Sequence, residues 1–414
     1  MRLKISHIST SDSEGGSANS ARRIHNNLLK NGISSNIFVG NKNLNDKNSS
    51  YLSKHKQLRK IDNILDRVTN KIGFQYQFLP SNLFLNETLK NSDIIQLYNL
   101  HGGYFQFSTL SKLSKISPLI WRFSDYWPLT GHCAYPKECQ KWENGCYSCP
   151  DLKLYPSIGF DRTRALWREK QKIIKDTNII VVVPTKKMSD EVKKSKIFSG
   201  KEIRQIPNGI NTSLFKPFKK IEARKKLKIK NIFTILFIAH VAYDNPRKGT
   251  DYIYKISNLI KDKNDIQLLI VGLNSKKWKK LDNENIVTID LVSDSKIKNI
   301  IYNAADCLIL PSEQENFPNV MLESMSCGTP VIAFNSGDFS DIIKPNNGIL
   351  IDKPNSEKLK KKILFLKNSE ILNNEFGRNA RKIIVKKYSS EIELMKYLNL
   401  YNELLDHKSF IDKI

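Results

Sequence analysis

Short apolar runs alternate with helical patterns along the chain. The first run, Leu3 to Ile8, is followed by a polar loop and by helical spacing of apolar positions from about Ala18 to Lys30. Gly32 is typical of a helix stop, and a second apolar run covers residues 36 to 39. Strands that alternate with helices in this way predict a parallel sheet.

The same alternation continues, and it restarts in the second half of the chain. A turn-rich segment from Ile206 to Phe218 separates the two halves, so we place a domain boundary there. From about Glu375 to Leu405 the chain is amphipathic with helical spacing. The further predicted strands are 93–97, 118–123 and 178–183 in the first half and 233–238, 266–272, 307–310 and 331–334 in the second. Two doubly wound α/β units in tandem predict a ligand site at the carboxyl ends of their strands.

Length and composition agree with two globular domains. The chain has 414 residues, of which 40% are hydrophobic, and domains usually hold roughly 100 to 200 residues. The apolar runs are strand-sized, far below the roughly 18 residues that span a bilayer. The N-terminus lacks the apolar stretch of a signal peptide. We therefore expect a cytoplasmic protein with reduced thiols.

The charge is strongly positive, with 67 Lys and Arg against 41 Asp and Glu and a formal net charge of +26. Such an excess favours nucleic acid, anionic lipid or phosphorylated small molecules as partners, although a solvated basic surface explains it equally well. Residues 186–230 hold 15 Lys and Arg against four Asp and Glu, which predicts a basic patch that attracts anionic lipid. Residues 301–350 are instead acidic.

The acidic segment contains the most informative motif. Pro318 suits the first turn of a helix and Gly328 its end, so Glu315 falls on the entry loop and Glu323 one turn inside. The backbone N–H groups of this first turn could receive a diphosphate, and two carboxylates could accept hydrogen bonds from sugar hydroxyls. The alternative is a carboxylate that favours the helix dipole and a solvated Glu. The predicted binding positions are Phe317, Pro318, Asn319, Val320 and Glu323.

Two further loops follow predicted strands. Arg247 and Lys248, before Gly249, place two cations at the carboxyl end of a sheet, where they could neutralise a departing diphosphate or simply face water. Gly15 and Gly16 would let a ligand approach the backbone closely, or form a plain turn.

With these motifs the chain resembles the family-4 glycosyltransferases of the GT-B fold. The signature is the Glu-x7-Glu element, here Glu315 and Glu323, and the companion elements are Ile206–Asn211 and Arg247 to Gly249. The resemblance implies that Glu315 contacts the donor sugar, that Glu323 binds the nucleotide ribose, and that the Gly15 loop contacts donor phosphates and acceptor.

The same resemblance implies an architecture and a reaction. The expected domains are 1–205 for the acceptor, 206–385 for the nucleotide sugar, and a helix at 386–414 that packs back on the first domain, with a cleft between the two Rossmann-like domains. The reaction is transfer with retention, without a catalytic metal. Many relatives carry an Arg where this chain has Ala242, so Lys248 is the main predicted cation, with help from Arg247.

The segment Trp121–Cys133 resembles a subgroup associated with surface polysaccharide synthesis. Asp125 is the candidate for orienting the acceptor hydroxyl or the donor sugar, and a helix-capping Asp is the alternative. Relatives often have His before this Asp, whereas the position here is Ser124. His101 and His132 are further candidates for the same site, each with a purely structural alternative.

Four of the six cysteines form one cluster in a segment without strong helical or strand pattern. Their spacing and a reducing compartment favour a closed structural zinc site without catalytic role, while free thiols or disulfides stay open. The predicted ligands are Cys133, Cys139, Cys146 and Cys149.

The predicted function is therefore a retaining glycosyltransferase of surface polysaccharide synthesis. It would move a sugar from a nucleotide-diphosphate sugar to a glycan acceptor that the resemblance implies to be polyprenyl-diphosphate-linked, at the inner face of the plasma membrane. A sugar-nucleotide-binding regulator without turnover is the first alternative, because Ser124 and Ala242 depart from the family pattern. A nucleic-acid-binding protein is the second, although no recognised binding motif accompanies the charge.

Overall fold

In this computed structural model, parallel pairing joins the apolar runs into two separate sheets. The structure describes residues 3–76, 78–337 and 339–411, with side chains to residue 406. The chain divides into one unit of residues 1–207 and 393–414 and a second of residues 208–392. The predicted boundaries were 205 and 385. Residues 1, 2 and 412–414 of the predicted domains lie outside the described residues.

The first unit has a seven-stranded sheet with the order β3-β2-β1-β4-β5-β6-β7. Its strands are β1 (Lys4–Ser11), β2 (Ser34–Asn41), β3 (Ser49–Tyr51), β4 (Ile94–Leu97), β5 (Leu119–Arg122), β6 (Ile179–Val183) and β7 (Ile203–Gln205). Its helices are α1 (Gly16–Lys30), α2 (Lys56–Lys71), α3 (Thr109–Leu113), α4 (Thr163–Lys175) and α5 (Lys186–Lys194).

The second unit has a six-stranded sheet with the order β10-β9-β8-β11-β12-β13. Its strands are β8 (Phe233–Val241), β9 (Ile266–Leu273), β10 (Ile286–Ile289), β11 (Cys307–Leu310), β12 (Val331–Phe334) and β13 (Gly348–Ile351). Its helices are α6 (Lys220–Leu227), α7 (Thr250–Ile260), α8 (Ser295–Ala304), α9 (Asn319–Ser326), α10 (Ser356–Lys367) and α11 (Glu370–Lys387). The predicted α/β fold of two Rossmann-like units is confirmed.

Each sheet changes its direction of winding at one point. In the first unit the strand order reverses between β1 and β4, and in the second it reverses between β8 and β11. The central strands there are buried on both faces, for example β4, β6 and β11 along their whole length. Because open α/β sheets bind ligands outside the carboxyl ends of the strands at such points, each unit has one expected site.

The last helix of the chain begins close to residue 386, where the terminal helix is expected. Two helices occupy this region, because α11 ends at Lys387 and α12 (Ser390–Ile411) begins after a break at Tyr388 and Ser389. The break is held by the backbone, since Ile210 N donates to the Tyr388 carbonyl at 2.8 Å. From residue 393 the chain belongs to the first unit again.

Helix α12 packs into the core of the first unit through its aromatic side chains. Tyr397 and Tyr401 are fully buried in one cluster with Ile5 and Ile24. Arg23 of α1 forms a bidentate ion pair with Glu393 of α12, with Nε–Oε2 2.8 Å and Nη2–Oε1 3.0 Å. A helix distant in sequence therefore completes the first unit.

Candidate functional site

The loops after β8 and β11, at the winding reversal of the second unit, are in close contact. The loop after β8 reaches Gly249, which has φ 77° and where an added Cβ would lie 2.0 Å from the Pro311 carbonyl oxygen in the loop after β11. The Glu313 N–H donates to the Arg247 carbonyl at 2.9 Å. Only glycine fits both this backbone conformation and this approach, so the loop of the two cations is fixed against the acidic loop.

Glu315 lies at the centre of this contact, among cationic and polar neighbours. Its carboxylate forms an ion pair with Lys248, and the Arg247 guanidinium lies 3.8 Å from the same oxygen. Ser312 donates to that oxygen from its hydroxyl at 3.1 Å. The Glu315 side chain is 8% exposed. The structure thus brings together three of the residues that the sequence proposes for the donor site.

The electrostatics favour an ionised Glu315. Burial by itself would raise the pKa of Glu315, but the charges of Lys248 and Arg247 and the hydrogen bonds from Lys248 and Ser312 outweigh it, so the pKa lies below its ordinary value. An ionised carboxylate is an acceptor only. Such a group can accept hydrogen bonds from the hydroxyls of a sugar, and the two cations can bind an anion.

Glu323 lies one turn into α9, and a tyrosine from another helix holds it. The hydroxyl of Tyr302 on α8 donates to Glu323 Oε2 at 2.6 Å. Tyr302 is fully buried, and its burial together with the Glu323 charge raises the tyrosine pKa well above its ordinary value. Tyr302 therefore stays a donor and orients the carboxylate.

The entry to α9 differs in detail from the predicted helix start. Pro318 is the residue before the helix, which begins at Asn319, because Pro318 has extended backbone angles. Phe317 packs its ring 6.0 Å from Tyr388 in the core, so that only its backbone is suited to a ligand. Val320 is also partly packed against this core. Asn208 donates from Nδ2 to the Phe317 carbonyl at 3.2 Å and to Asn319 Oδ1 at 3.0 Å.

The first unit has its own loop cluster at the winding reversal. Gly15, with φ 90°, precedes the start of α1 at Gly16, and open space surrounds the Cβ position of both glycines. Ser17 in the first turn of α1 accepts from the Ser124 hydroxyl at 3.1 Å. Ser124 thus connects the loop after β5 with the glycine loop after β1.

Asp125 beside it is buried and fully engaged. Its Oδ2 accepts from Asn99 Nδ2 at 3.0 Å and from His101 Nε2 at 2.9 Å, and its Oδ1 accepts from the Trp127 N–H at 3.0 Å. Tyr155 places its hydroxyl 3.3 Å from His101 Nδ1. A carboxylate with three donors is suited to orienting the histidine and the asparagine.

The four clustered cysteines line one small cavity of about 20 Å³. Cys133 and Cys146 are buried, whereas Cys139 and Cys149 are partly exposed, and all four are free thiols. His132 lies here too, with Nε2 3.4 Å from Cys149 Sγ, and so faces this cavity instead of Asp125. A cavity of this size holds about one water or one ion.

Three observations bear on a metal in this cavity. The Gly131 N–H donates to Cys146 Sγ at 3.1 Å, a contact that suits a thiolate. Within the part of the chain that the structure describes, however, no three His, Cys, Asp or Glu side chains converge as a ligand set. Burial raises the pKa of Cys133 to about 12 and that of Cys146 to about 11, which favours neutral thiols without a cation. The zinc site stays a prediction.

Sequence reasoning missed Tyr302 and the anchoring role of Asn208. Tyr302 has no motif signal, because an aromatic residue on an amphipathic helix is typical of a core position. Asn208 was visible within the Ile206–Asn211 element, but its partners are 109 and 111 residues away along the chain. Of the predicted basic patch, residues 186–207 belong to the first unit and residues 208–230 to the second.

Comparison with known proteins adds the following similarities. Residues 219–383 match the family described as glycosyl transferases group 1. The chain is 24% identical, over 94% of its length and 97% of the relative, to WcaC of Escherichia coli (strain K12), which carries the provisional name of a colanic acid biosynthesis glycosyl transferase.

A second relative and a solved structure are also informative. The N,N'-diacetylbacillosaminyl-diphospho-undecaprenol alpha-1,3-N-acetylgalactosaminyltransferase of Campylobacter jejuni is 26% identical over 48% of this chain and 53% of its own. The structure of Anabaena Alr3699/HepE in complex with UDP-glucose superposes with a TM-score of 0.64 at 15% identity, covering 97% of this chain and all of that one. This last similarity shows the fold.

Proposed function

We propose the reaction of this chain. The chain is a glycosyltransferase of the GT-B fold, and its residues 219–383 belong to the group 1 glycosyltransferases. It transfers a sugar from a nucleotide-diphosphate sugar to a glycan acceptor with retention of configuration. The observation that carries this proposal is the cluster of Glu315, Lys248 and Arg247 at the winding reversal of the second sheet.

The donor binds to the second unit. Lys248 and Arg247 exchange part of their contact with Glu315 for the diphosphate, because a divalent leaving group is a stronger partner for two cations than one carboxylate. Glu315 then accepts hydrogen bonds from sugar hydroxyls, and Glu323, held by Tyr302, accepts them from the ribose. The backbone N–H groups of Phe317, Asn319 and Val320 donate to the phosphates, whereas Pro318 has no N–H.

In the chemical step, negative charge develops next to Lys248 and Arg247. The bond from the anomeric carbon to the diphosphate oxygen breaks, and negative charge develops on the leaving group. Lys248 and Arg247 stabilise that charge, an electrostatic effect that preorganised groups supply well. The acceptor hydroxyl attacks the same face of the sugar, and its proton passes to the departing phosphate oxygen. No protein nucleophile and no metal take part.

The acceptor binds to the first unit, at the loops that contain Gly15, Gly16 and Asp125. Because Asp125 already accepts three hydrogen bonds, it acts by positioning His101 and Asn99 toward the acceptor. The two relatives named for colanic acid and for an undecaprenol-linked substrate support a lipid-linked glycan of surface polysaccharide synthesis as acceptor. The enzyme would then work at an anionic membrane surface.

Thermal unfolding with a panel of UDP-, GDP-, ADP- and dTDP-sugars tests the donor site, since a ligand that binds the native state raises the melting temperature. We expect one nucleotide sugar to stabilise the wild type, and Lys248→Met/Glu315→Gln to lose this stabilisation. The double variant removes both charges, so that neither remains buried alone. Lys279→Met, at an exposed lysine of the same unit, is the control.

Two results would contradict the proposal. The first is stabilisation by no member of the panel. The second is stabilisation that survives unchanged in Lys248→Met/Glu315→Gln. Donor binding without transfer to any glycan acceptor would favour the alternative of a regulator without turnover.

A further inference from the structure

Helix α2 of the first unit buries polar side chains and exposes aliphatic ones, which is the reverse of an ordinary surface helix. Its buried residues are Asp62 and Thr69. Three of its aliphatic residues, Ile61, Ile64 and Val68, face solvent with exposed fractions of 44%, 64% and 53%, whereas Leu58 and Leu65 are half-buried. A surface helix normally turns its apolar stripe to the core. The exposed aliphatic face of α2 is therefore suited to contact with another molecule.

The exposed aliphatic residues form one stripe. Ile61, Ile64, Val68 and the following Ile72, which is 50% exposed, are spaced by three, four and four residues, so they lie on the same face of the helix. Single exposed aliphatic residues are common. Three on one helix, extended by a fourth directly after its end, form an apolar stripe of the kind that marks an interaction site.

The polar residues that are buried under α2 explain its orientation. Asp62 accepts from the Ser81 N–H at 3.2 Å, and the Thr69 hydroxyl donates to the Leu65 carbonyl at 2.8 Å. Asp66 also lies on the inward side, against Gly103, where a Cβ would come within 2.7 Å of Asp66 Oδ2. Burial raises the pKa of both Asp62 and Asp66. The acidic groups of this helix are therefore turned inward.

The exposed charges of this segment are consequently all of one sign. Between residues 54 and 72 of the described chain, the charged side chains that are exposed are Lys54, Lys56, Lys60, Arg67 and Lys71. An apolar stripe with lysine and arginine beside it is typical of a helix that lies in the interface of an anionic bilayer. Further exposed apolar side chains follow shortly after the helix at Phe78, Leu83 and Phe84.

We propose that the outward face of α2 is the membrane-contact surface of this protein, with Ile61, Ile64, Val68 and Ile72 inserted among the lipids of an anionic bilayer and the flanking cations on its headgroups. This inference deepens the proposed function, because it rests on a lipid-linked acceptor that draws the enzyme to the bilayer. It assigns the contact to α2 instead of the basic run at 186–230, which the two units share.

No helix of the described residues has the length and apolar character to cross a bilayer. Contact through α2 is lateral, with the helix axis in the plane of the surface, because its exposed aliphatic residues lie along one side of the helix. Apolar insertion and charge attraction then contribute separately. Salt weakens the charge attraction and leaves the apolar insertion unchanged, since only interactions between charges are screened.

Flotation of the full chain with vesicles tests the proposal. The vesicles consist of phosphatidylcholine mixed with phosphatidylglycerol, and phosphatidylcholine alone is the comparison. We expect the wild type to float with the mixed vesicles and far less with the neutral ones. Ile64→Ser/Val68→Ser should weaken partitioning at least about tenfold, which corresponds to about 1.4 kcal/mol. Lys60→Gln/Arg67→Gln should weaken it mainly at low salt.

Matched controls come from the second unit. Ile371→Ser removes an aliphatic side chain that is 84% exposed on α11, and Lys386→Gln/Lys387→Gln removes two exposed cations. Both should float as the wild type does. Thermal unfolding should show little change in all four variants, because none of the replaced side chains packs in a core.

Two outcomes overturn the proposal. Either the wild type ignores vesicles of both kinds, or Ile64→Ser/Val68→Ser floats as well as the wild type. A wild-type dimer in light scattering that Ile64→Ser/Val68→Ser converts to a monomer, with flotation unchanged, would assign the stripe to a second copy instead. Donor-induced stabilisation is measured without vesicles, so failure of the donor site and failure of the membrane surface are separate results.

Discussion

At the scale of single residues, the proposed donor site depends on contacts that orient carboxylates. Glu315 is held by two cations and a serine hydroxyl, and Glu323 is held by one tyrosine hydroxyl. These contacts fix the positions of the carboxylate oxygens before a ligand binds. Preorganised groups lose less conformational freedom on binding, so each contact contributes to affinity as well as to stability.

Tyr302→Phe removes the hydroxyl that orients Glu323 and keeps the ring in the core. We expect a stability loss of about 1 kcal/mol, typical of one buried hydrogen bond, and clearly weaker nucleotide binding because Glu323 loses its orientation. Calorimetric titration with the nucleotide of the stabilising donor measures this. Tyr397→Phe is the control, since it is a buried tyrosine of the first unit. Equal nucleotide affinity in Tyr302→Phe and wild type would contradict the assigned role.

Gly249 and Gly200 form a matched pair for testing the contact between the two loops of the proposed donor site. Both have positive φ, 77° and 75°, but an added Cβ meets the Pro311 carbonyl only at Gly249, whereas it meets open space at Gly200. Both alanine variants should lose about 1 kcal/mol from backbone strain. Gly249→Ala should lose considerably more and should also lose donor binding. Equal melting temperatures for the two variants would show that the loops separate easily.

At the scale of elements, the loop between β5 and α4 contains the cysteine cavity, which has little regular structure to support it. Helix α4 contributes Lys170, which is buried and donates from Nζ to the carbonyls of Trp127 at 2.7 Å and Thr130 at 2.9 Å. The lysine therefore fixes the segment that leads into the cysteines. A structural metal would supply a second support.

The zinc prediction is tested by the metal content of protein purified without added chelator or metal. If the four cysteines rearrange into a closed set, we expect one equivalent of zinc per chain. Cys139→Ser/Cys149→Ser should lose it and unfold at a lower temperature. Cys307→Ala, at a buried cysteine outside the cluster, should keep it. Four reactive thiols and no zinc in the native protein would establish free cysteines.

At the scale of the whole molecule, the first unit has a buried polar centre that makes its stability depend on pH. His7 and His25 both contact the Ser35 hydroxyl, at 3.1 and 2.7 Å. Burial, and then the charge of Arg22, lower the pKa of His25 to about 4, and burial together with His25 lowers the pKa of His7 well below its usual value. Both histidines are therefore neutral in the folded unit.

The first unit should lose stability as the pH falls from about 6.5 toward 4. In this range the unfolded chain binds protons at these histidines and the folded unit does not, so protonation favours unfolding. For His25 the full effect is about 3 kcal/mol. Urea unfolding followed between pH 7 and 4 measures the slope. His25→Gln should flatten it, whereas His240→Gln, at an exposed histidine, should not. A slope unchanged in His25→Gln would contradict this account.

Much of the fold follows from local patterns in the sequence. Strands such as β6 and β11 are continuous apolar runs, because strands buried on both faces need no polar positions. The short strands β3 and β7 lie at the sheet edges and mix polar with apolar residues, so their sequences carry no such pattern. The expected start of the last helix at residue 386 lies close to the break at Tyr388, although helical spacing continues on both sides of it.

The sequence by itself determined the two α/β units, the loops that follow their central strands and the charged residue types on those loops, since these depend on neighbours along the chain. Tertiary structure alone decided that Lys248 meets Glu315, 67 residues away, and that Tyr302 holds Glu323. It also decided that α2 buries Asp62 and exposes Ile64. The physical reason is that hydrogen-bond partners and the buried face of a helix are chosen by what lies opposite in space, which no local pattern records.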